Sequence, residues 1–314
     1  MKTLYIAAGF DGSTTLDRKV GLVAAGWDIY HLDSDPWVNH PIRKWKGLHD
    51  RLSFGPLIWS FNRKILSEAK ADRPDVVWID KGIWVKPGTI LRLQEMGATV
   101  VHYTPDSAIQ FNRTRCFLQS LPLYDILFTT KSWEMKDYRD LGAKYLQLVY
   151  QGTDVSRTRP MVLTPEEQKV YECDVVFIGR GEDHYAKTLD SIITAIPNLD
   201  LKIWGPWAHA VSKFPRLRPY WQGRSAMGDD YARALSGAKI GLGMLSKLFP
   251  ETETTRTFEI PACGTMFLAE RTESHQSLYN EGAEAEFYAT VDEAVSKIKG
   301  YLESWDALES VAAA

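Results

Sequence analysis

The sequence predicts an α/β protein with two Rossmann-like domains, each built on a parallel sheet, that face each other across a central cleft. Short apolar runs alternate with longer amphipathic runs, which is the pattern of parallel βαβ units. The alternation stops once, in a polar stretch with two prolines, and then restarts. The chain has 314 residues, which suits two domains of about 150 residues each.

The first alternating series predicts an N-terminal domain over residues 1–153. Its apolar runs predict strands over 3–9, 27–33, 75–80, 98–106, 125–130 and 145–152. Amphipathic segments follow them, including a helix that ends at Gly26 and one that runs through Leu91 to Met96. Strands that are apolar along their length indicate a sheet covered by helices on both faces.

A polar segment without a clear period, 154–172, is expected to be a linker. The C-terminal domain then covers 173–290, and its predicted elements follow the same alternation. The strands are 173–179, 200–205, 239–245, 265–270 and 286–290, and the helices are 184–196, 228–237 and 254–263. A final helix, 291–314, extends beyond the completed domain, so we expect it to fold back across the cleft.

Composition excludes several functional classes. A net charge of −3 and a pI near 6.2 provide no overall positive field, so no nucleic-acid partner is expected. The three cysteines have neither metal-ligand spacing nor a disulfide framework. No apolar run reaches the roughly 18 residues of a membrane span. We expect a cytoplasmic protein without a transmembrane segment, with association at a membrane surface still allowed.

Ligands of open α/β sheets bind beyond the carboxyl ends of the strands, so the loops there carry the candidate residues. In the first loop, GFDGSTT, Gly9 and Gly12 allow close approach of a ligand to the backbone, and Asp11 is a usable general base. The alternative is a glycine turn with Ser13 or Thr14 as helix N-cap. The loop is neither GxGxxG nor a P-loop, which disfavours an NAD-dependent oxidoreductase.

The fourth strand ends in HYTPD. His102 is either a buried core residue or a cleft residue, with burial the more common situation for a histidine in an apolar strand. Asp106 follows the strand, where it either faces the cleft as a second candidate base or caps a helix over 107–120.

The third candidate loop, FIGRGEDHYAKT, follows the first strand of the second domain. Gly179 and Arg180 end that strand, and Lys187 lies about two helical turns further on. Two cations beside a helix start would hold a diphosphate by charge and by backbone N–H groups. Solvated surface charge is the alternative.

The segment PETETTRTFEIPACG carries the most specific pattern. Thr254 or Thr255 is a suitable N-cap, which leaves Glu251 on the preceding loop. Arg256 and Glu259 are then three residues apart on one helix face. In one interpretation they form a surface ion pair worth at most about 0.5 kcal/mol. In the other, Arg256 binds a phosphate and Glu259 accepts hydrogen bonds from two ribose hydroxyls.

Residues from Asp174 to Leu302 resemble the C-terminal domain of group-1-type glycosyltransferases, and among them the family named for the spore maturation protein CgeB. The matching segments are VVFIGRG, LKIWGPW, DDYARALSGAKIGLGM, TTRTFEIPACGTMFLAE and EGAEAEFYATVDEAVSKIKGYL. In the N-terminal half, VYQGTD is similar to the interdomain segment of such enzymes. The resemblance implies the GT-B fold, in which the second domain holds most of the nucleotide-sugar donor.

The resemblance also implies roles for individual residues. Glu251 and Glu259 match the E-x7-E pair beside the donor, and Arg180 and Lys187 are similar to the cations that hold its diphosphate. The implied enzyme transfers a sugar from a UDP, GDP or dTDP sugar to a hydroxyl of a glycan, lipid-linked, protein or small-molecule acceptor. It would need no bound metal and no other cofactor. A nucleotide-sugar epimerase of the same fold and a non-catalytic nucleotide-sugar-binding protein are the alternatives.

Overall fold

The computed structural model describes residues 1–10, 13–38 and 53–314, and within them the chain divides into two compact units, Met1–Gln151 and Gly152–Ala314. Each unit contains one open sheet in which every described strand pairing is parallel. The predicted α/β class is therefore confirmed. The bounds predicted for the domains, the linker 154–172 and the return of the last helix across the cleft stay predictions.

The N-terminal unit has a six-stranded sheet with the strand order β2-β1-β3-β4-β5-β6. The strands are β1 Lys2–Ala7, β2 Asp28–Asp33, β3 Val76–Asp80, β4 Thr99–Thr104, β5 Ile126–Thr129 and β6 Leu146–Leu148. The described helices are α1 Thr14–Ala24, α2 Asp35–Val38, α3 Pro56–Asp72, α4 Pro87–Glu95, α5 Arg115–Ser120 and α6 Met135–Asp140.

Apolar side chains cover both faces of this sheet. One face packs α3 and α4 against the strands through residues such as Phe61 and Ile90. The other face carries an aromatic layer that includes Tyr5, Trp78 and Tyr103. Burial on both faces explains why these strands are apolar along their length rather than alternating.

The C-terminal unit has a five-stranded sheet with the order β11-β10-β9-β7-β8. The strands are β7 Cys173–Ile178, β8 Leu201–Trp204, β9 Ala238–Gly243, β10 Met266–Glu270 and β11 Glu286–Tyr288. The helices are α7 Pro165–Tyr171, α8 Asp183–Ala195, α9 Ala208–Lys213, α10 Asp229–Ser236, α11 Arg256–Ala262, α12 Glu273–Leu278, α13 Val291–Glu303 and α14 Trp305–Ala312.

Each predicted strand overlaps an observed one, but three helical segments differ from expectation. The segment 154–172 contains α7, which begins with a capping box between Thr164 and Glu167. The final segment forms two helices that meet at Ser304, and both pack on the apolar core of the C-terminal unit. No helix in the described part of the chain combines the length and apolarity needed to cross a membrane.

The helix predicted over 107–120 begins only at Arg115, with Thr114 as its N-cap. The capping role considered for Asp106 is therefore wrong. A buried carboxylate, Glu134, holds the preceding residues in another conformation: it accepts the hydroxyl hydrogen of Ser107 and the N–H hydrogen of Ala108. The residues before Arg115 thus form a turn that Glu134 holds in place.

Candidate active site

In the C-terminal sheet the strand order reverses between β7 and β9: the chain passes from β7 outward to β8 and returns to β9 on the other side. Open α/β sheets bind ligands at such a switch point, beyond the carboxyl ends of the two strands. Ile178 ends β7, and Met244 follows β9 directly. The candidate donor site is therefore expected at these two residues.

Arg256 lies at this switch point. Its Nη1 donates to the carbonyl oxygen of Ile178 at 3.2 Å, and its Nη2 donates to the carbonyl oxygen of Met244 at 3.2 Å. The guanidinium carbon is 5.6 Å from the centroid of the Phe177 ring, within reach of a cation–π interaction. The Nε atom is buried and has no hydrogen-bond partner among the described residues. A fixed positive charge thus joins the two strand ends.

Glu259 lies one turn further along α11. Its Oε2 accepts a hydrogen bond of 2.5 Å from the hydroxyl of Tyr231, which belongs to α10. Burial raises the pKa of the Tyr231 phenol well above its usual value, and the Glu259 carboxylate adds to the shift. Tyr231 therefore stays protonated and donates, which fixes the orientation of the carboxylate.

The loop after β9 is held from several directions. The Leu245 carbonyl contacts His184 Nε2 at 2.9 Å, so this ring nitrogen carries the hydrogen, because a carbonyl only accepts. The Leu245 N–H donates to Glu270 Oε1 at 2.8 Å, and the Ser246 hydroxyl donates to Glu182 Oε2 at 2.9 Å. These contacts position the backbone beside Arg256.

The ends of β7 and β8 approach each other at two glycines. Trp207 Nε1 donates to the carbonyl oxygen of Gly179 at 2.9 Å. At Gly205, where φ is +134°, a Cβ would lie 1.9 Å from that same oxygen, so only glycine fits there. The segments FIG and IWGPW, which are far apart in sequence, therefore meet at the carboxyl ends of β7 and β8.

Glu251 belongs to the same neighbourhood. Burial raises the pKa of the Tyr185 phenol, and the positive charge of Arg256 opposes that shift. Three carboxylates reinforce it, namely those of Glu182, Glu270 and Glu251. The charges of Glu251 and Arg256 thus act on one buried phenol near the switch point.

The other predicted donor residues lie around this point. Arg180 follows Gly179, where an added Cβ would be 3.2 Å from Arg256 Nη1. Lys187 projects from the exposed face of α8. Neither side chain forms a hydrogen bond or ion pair with the described residues. Thr255 precedes α11 as its N-cap but caps it without a side-chain hydrogen bond.

In the N-terminal unit, two predicted residues, Asp11 and Gly12, lie outside the described residues. Gly9 donates its N–H to Asp33 Oδ1 at 2.8 Å, and a Cβ at Gly9 would lie 3.0 Å from the Asp33 carboxyl carbon. Asp106 is half-exposed and forms an ion pair of 2.6 Å with Lys81.

His102 is fully buried, with its ring centroid 5.1 Å from that of Phe117 and 5.2 Å from that of Tyr124. Burial lowers its pKa to about 3, so the ring is neutral. Of the two positions considered for His102, the structure shows the core. In the described part of the chain, no three His, Cys, Asp or Glu side chains group in a way that could hold a metal ion.

Two parallel-sheet α/β units that follow one another along the chain are the architecture of the GT-B fold. Solved structures confirm this architecture. Sucrose-phosphate synthase (tll1590) from Thermosynechococcus elongatus superposes with a TM-score of 0.66 at 14% identity, over 99% of this chain and 92% of that one. Anabaena Alr3699/HepE in complex with UDP-glucose gives a TM-score of 0.61 at 12% identity, over 99% and 93%.

A UDP-N-acetylglucosamine 2-epimerase also shares the fold, with a TM-score of 0.57 at 11% identity over 100% of this chain and 90% of that one. Residues 184–314 match a family model described as glycosyl transferase-like. That region contains α11 with Arg256 and Glu259. Among curated proteins, none matches this sequence. The matched family model supports enzyme activity, and the solved structures show the fold.

Proposed function

We propose that this chain is a glycosyltransferase that moves a sugar from a nucleoside-diphosphate sugar to an acceptor hydroxyl, and that it is a CgeB-like member of its class. The observation that carries the proposal is Arg256 at the switch point of the C-terminal sheet, bonded to the ends of both β7 and β9. One turn away, Glu259 is oriented by Tyr231. A cation and an oriented carboxylate at this spacing suit a diphosphate and a ribose.

The proposed donor site divides the nucleotide between these groups. Arg256, Arg180 and Lys187 bind the diphosphate, with the start of α8 contributing backbone N–H groups. Glu259 accepts hydrogen bonds from the hydroxyls of the ribose, and Glu251 and Thr255 line the part of the donor site that holds the sugar. Anabaena HepE, which shares the fold, has been solved with UDP and with UDP-glucose, and this supports a nucleotide-sugar donor here.

In the proposed reaction the bond between the anomeric carbon and the diphosphate oxygen breaks, and the diphosphate leaves with the electron pair. The acceptor oxygen forms the new bond and loses its proton. The three cations stabilise the charge that develops on the diphosphate, without a bound metal. In an inverting reaction Asp11 or Asp106 takes the proton, and Asp106 would then have to loosen its ion pair with Lys81.

Calorimetric titration with UDP, GDP and dTDP tests the donor site. Wild type should bind one nucleoside diphosphate, and Arg256→Ala and Glu259→Ala should each weaken that binding at least about tenfold, because each removes a charge-assisted contact. Arg216→Ala is the matched control: Arg216 is an exposed arginine of the same unit that pairs with Asp190, and its loss should leave affinity unchanged. Absence of binding, or equal affinity in all variants, would remove the assignment.

A nucleotide-sugar epimerase is the second candidate, because a UDP-N-acetylglucosamine 2-epimerase shares the fold. The two activities differ in what they need: an epimerase converts its nucleotide sugar alone, whereas a transferase releases the nucleotide only with an acceptor or water. Anomeric NMR of UDP-glucose and UDP-N-acetylglucosamine incubated with the protein separates them.

The same reactions with EDTA test the proposed metal independence. Cell fractionation tests the proposed cytoplasmic location.

A further inference from the structure

The N-terminal sheet has a switch point of its own. The chain passes from β1 to β2 on one side and to β3 on the other, so the order reverses between β1 and β3. A cavity of about 220 Å³ lies there, lined by residues from the carboxyl ends of all three strands, among them Ile6, Ser34 and Ile79. Ligands of open α/β sheets bind at this kind of position.

The cavity is mainly apolar, with an aromatic wall. Phe61 and Trp84 are buried beside it, whereas Phe10 and Phe111 line it and remain 50% and 66% exposed. Exposed aromatic surface beside a cavity gains free energy when an apolar body covers it.

The charges on the cavity wall are already neutralised. Asp80 pairs with Arg18 at 2.7 Å, and their side chains are only 4% and 13% exposed. Lys81 pairs with Asp106 at 2.6 Å. A ligand that carried a net charge would find no unpaired counter-charge among these residues, so the site favours a neutral ligand.

One polar group on the wall lacks a partner. The Nδ2 atom of Asn112 is buried and forms no hydrogen bond with the described residues. A buried amide donor without a partner is costly, and an oxygen of a ligand would satisfy it. At the strand end, Lys81 has a φ of +62°, a left-handed conformation that is uncommon for non-glycine residues.

From this combination we infer that the cavity binds the apolar body of a neutral alcohol or phenol, with Asn112 donating to its oxygen. The inference rests on the proposed function, since such a ligand would be the acceptor of glycosyl transfer. The volume equals that of about seven liquid waters. It therefore accommodates one or two rings or a short aliphatic chain, and a strongly hydrated glycan would leave its hydroxyls against apolar walls without partners.

Binding of 2-naphthol, followed by calorimetry and by saturation-transfer NMR, tests the inference, with glucose as the polar probe. The wild-type protein should bind 2-naphthol at one saturable site and glucose more weakly. Phe111→Ala should weaken the binding of 2-naphthol about tenfold, and Asn112→Ala about fivefold. Tyr145→Ala is the matched control, because Tyr145 is 74% exposed and precedes β6 at the opposite edge of the sheet.

Failure of 2-naphthol to bind, equal effects of Tyr145→Ala and Phe111→Ala, or tighter binding of glucose would each overturn the inference. Thermal unfolding of each variant confirms that it is folded before titration. The UDP titration of the same samples separates the two proposals. Binding of UDP without 2-naphthol refutes only the apolar acceptor site, and binding of 2-naphthol without any nucleotide refutes only the donor assignment.

Discussion

Single residues in this protein gain their roles from partners that are distant in sequence. Arg256 and Glu259 stand out in the sequence because their types and spacing suit a nucleotide. The residues that position them do not: Tyr231 is one tyrosine among fourteen, and the bond of His184 to the Leu245 carbonyl depends on the path of a loop. The candidate residues could thus be proposed from the sequence, while the side chains that orient them could not.

At the residue scale, His102 should make stability depend on pH. Its pKa is about 3 in the folded protein because of burial, against about 6.5 in an unfolded chain. The folded state therefore binds fewer protons, so this contribution is complete above pH 6.5 and is lost as pH falls toward 3. The loss is about 1.4 kcal/mol per pH unit within that window.

Urea unfolding between pH 7 and pH 4.5 measures this effect. His102→Leu should have a shallower decline of the unfolding free energy toward acid than wild type. His209→Gln, which changes an exposed histidine, should keep the wild-type slope. Parallel slopes for wild type and His102→Leu would show that His102 does not stay neutral in the fold.

At the scale of elements, hydrophobic pattern was a good guide to strands and a poorer one to helix starts. Strands buried on both faces leave an unbroken apolar run, which is visible without any knowledge of neighbours. The start of α5 lies instead at the N-cap Thr114, and the residues predicted to open the helix, Ser107 and Ala108, bond to Glu134, a buried carboxylate beyond the helix in sequence. A long-range contact of this kind leaves no periodic signal in the segment that it reshapes.

The meeting of β7 and β8 gives a prediction at this scale. Gly205→Ala should lower the unfolding free energy of the C-terminal unit by about 3 kcal/mol, because the added methyl would overlap the Gly179 carbonyl and φ is +134°. Gly300→Ala, at an open position in the last turn of α13, should raise it by up to about 1 kcal/mol. Urea unfolding followed by tryptophan fluorescence measures both, and a neutral Gly205→Ala would show that the two strand ends do not approach this closely.

For the whole molecule, the division into two units, each with its own core, has a direct consequence. Residues 152–314 contain every residue proposed to bind the donor nucleotide and a complete five-stranded sheet. Expressed alone, this unit should fold and bind the same nucleoside diphosphate as the full chain, with an affinity within about tenfold, whereas residues 1–151 should bind none. Calorimetry on both fragments is the measurement. Nucleotide binding by the N-terminal fragment alone would contradict the assignment of nucleotide binding to the C-terminal unit.

The two carbonyl bonds of Arg256 bear on the kinetics of nucleotide association. A guanidinium has five N–H donors; Nε is buried, and the hydrogen bonds to Ile178 and Met244 leave one N–H on each of Nη1 and Nη2 for a ligand. A diphosphate can therefore engage Arg256 without displacing it from the ends of β7 and β9. Recruitment of the phosphate needs no rearrangement of this side chain, so stopped-flow traces of nucleotide binding should contain no slow phase that originates at Arg256.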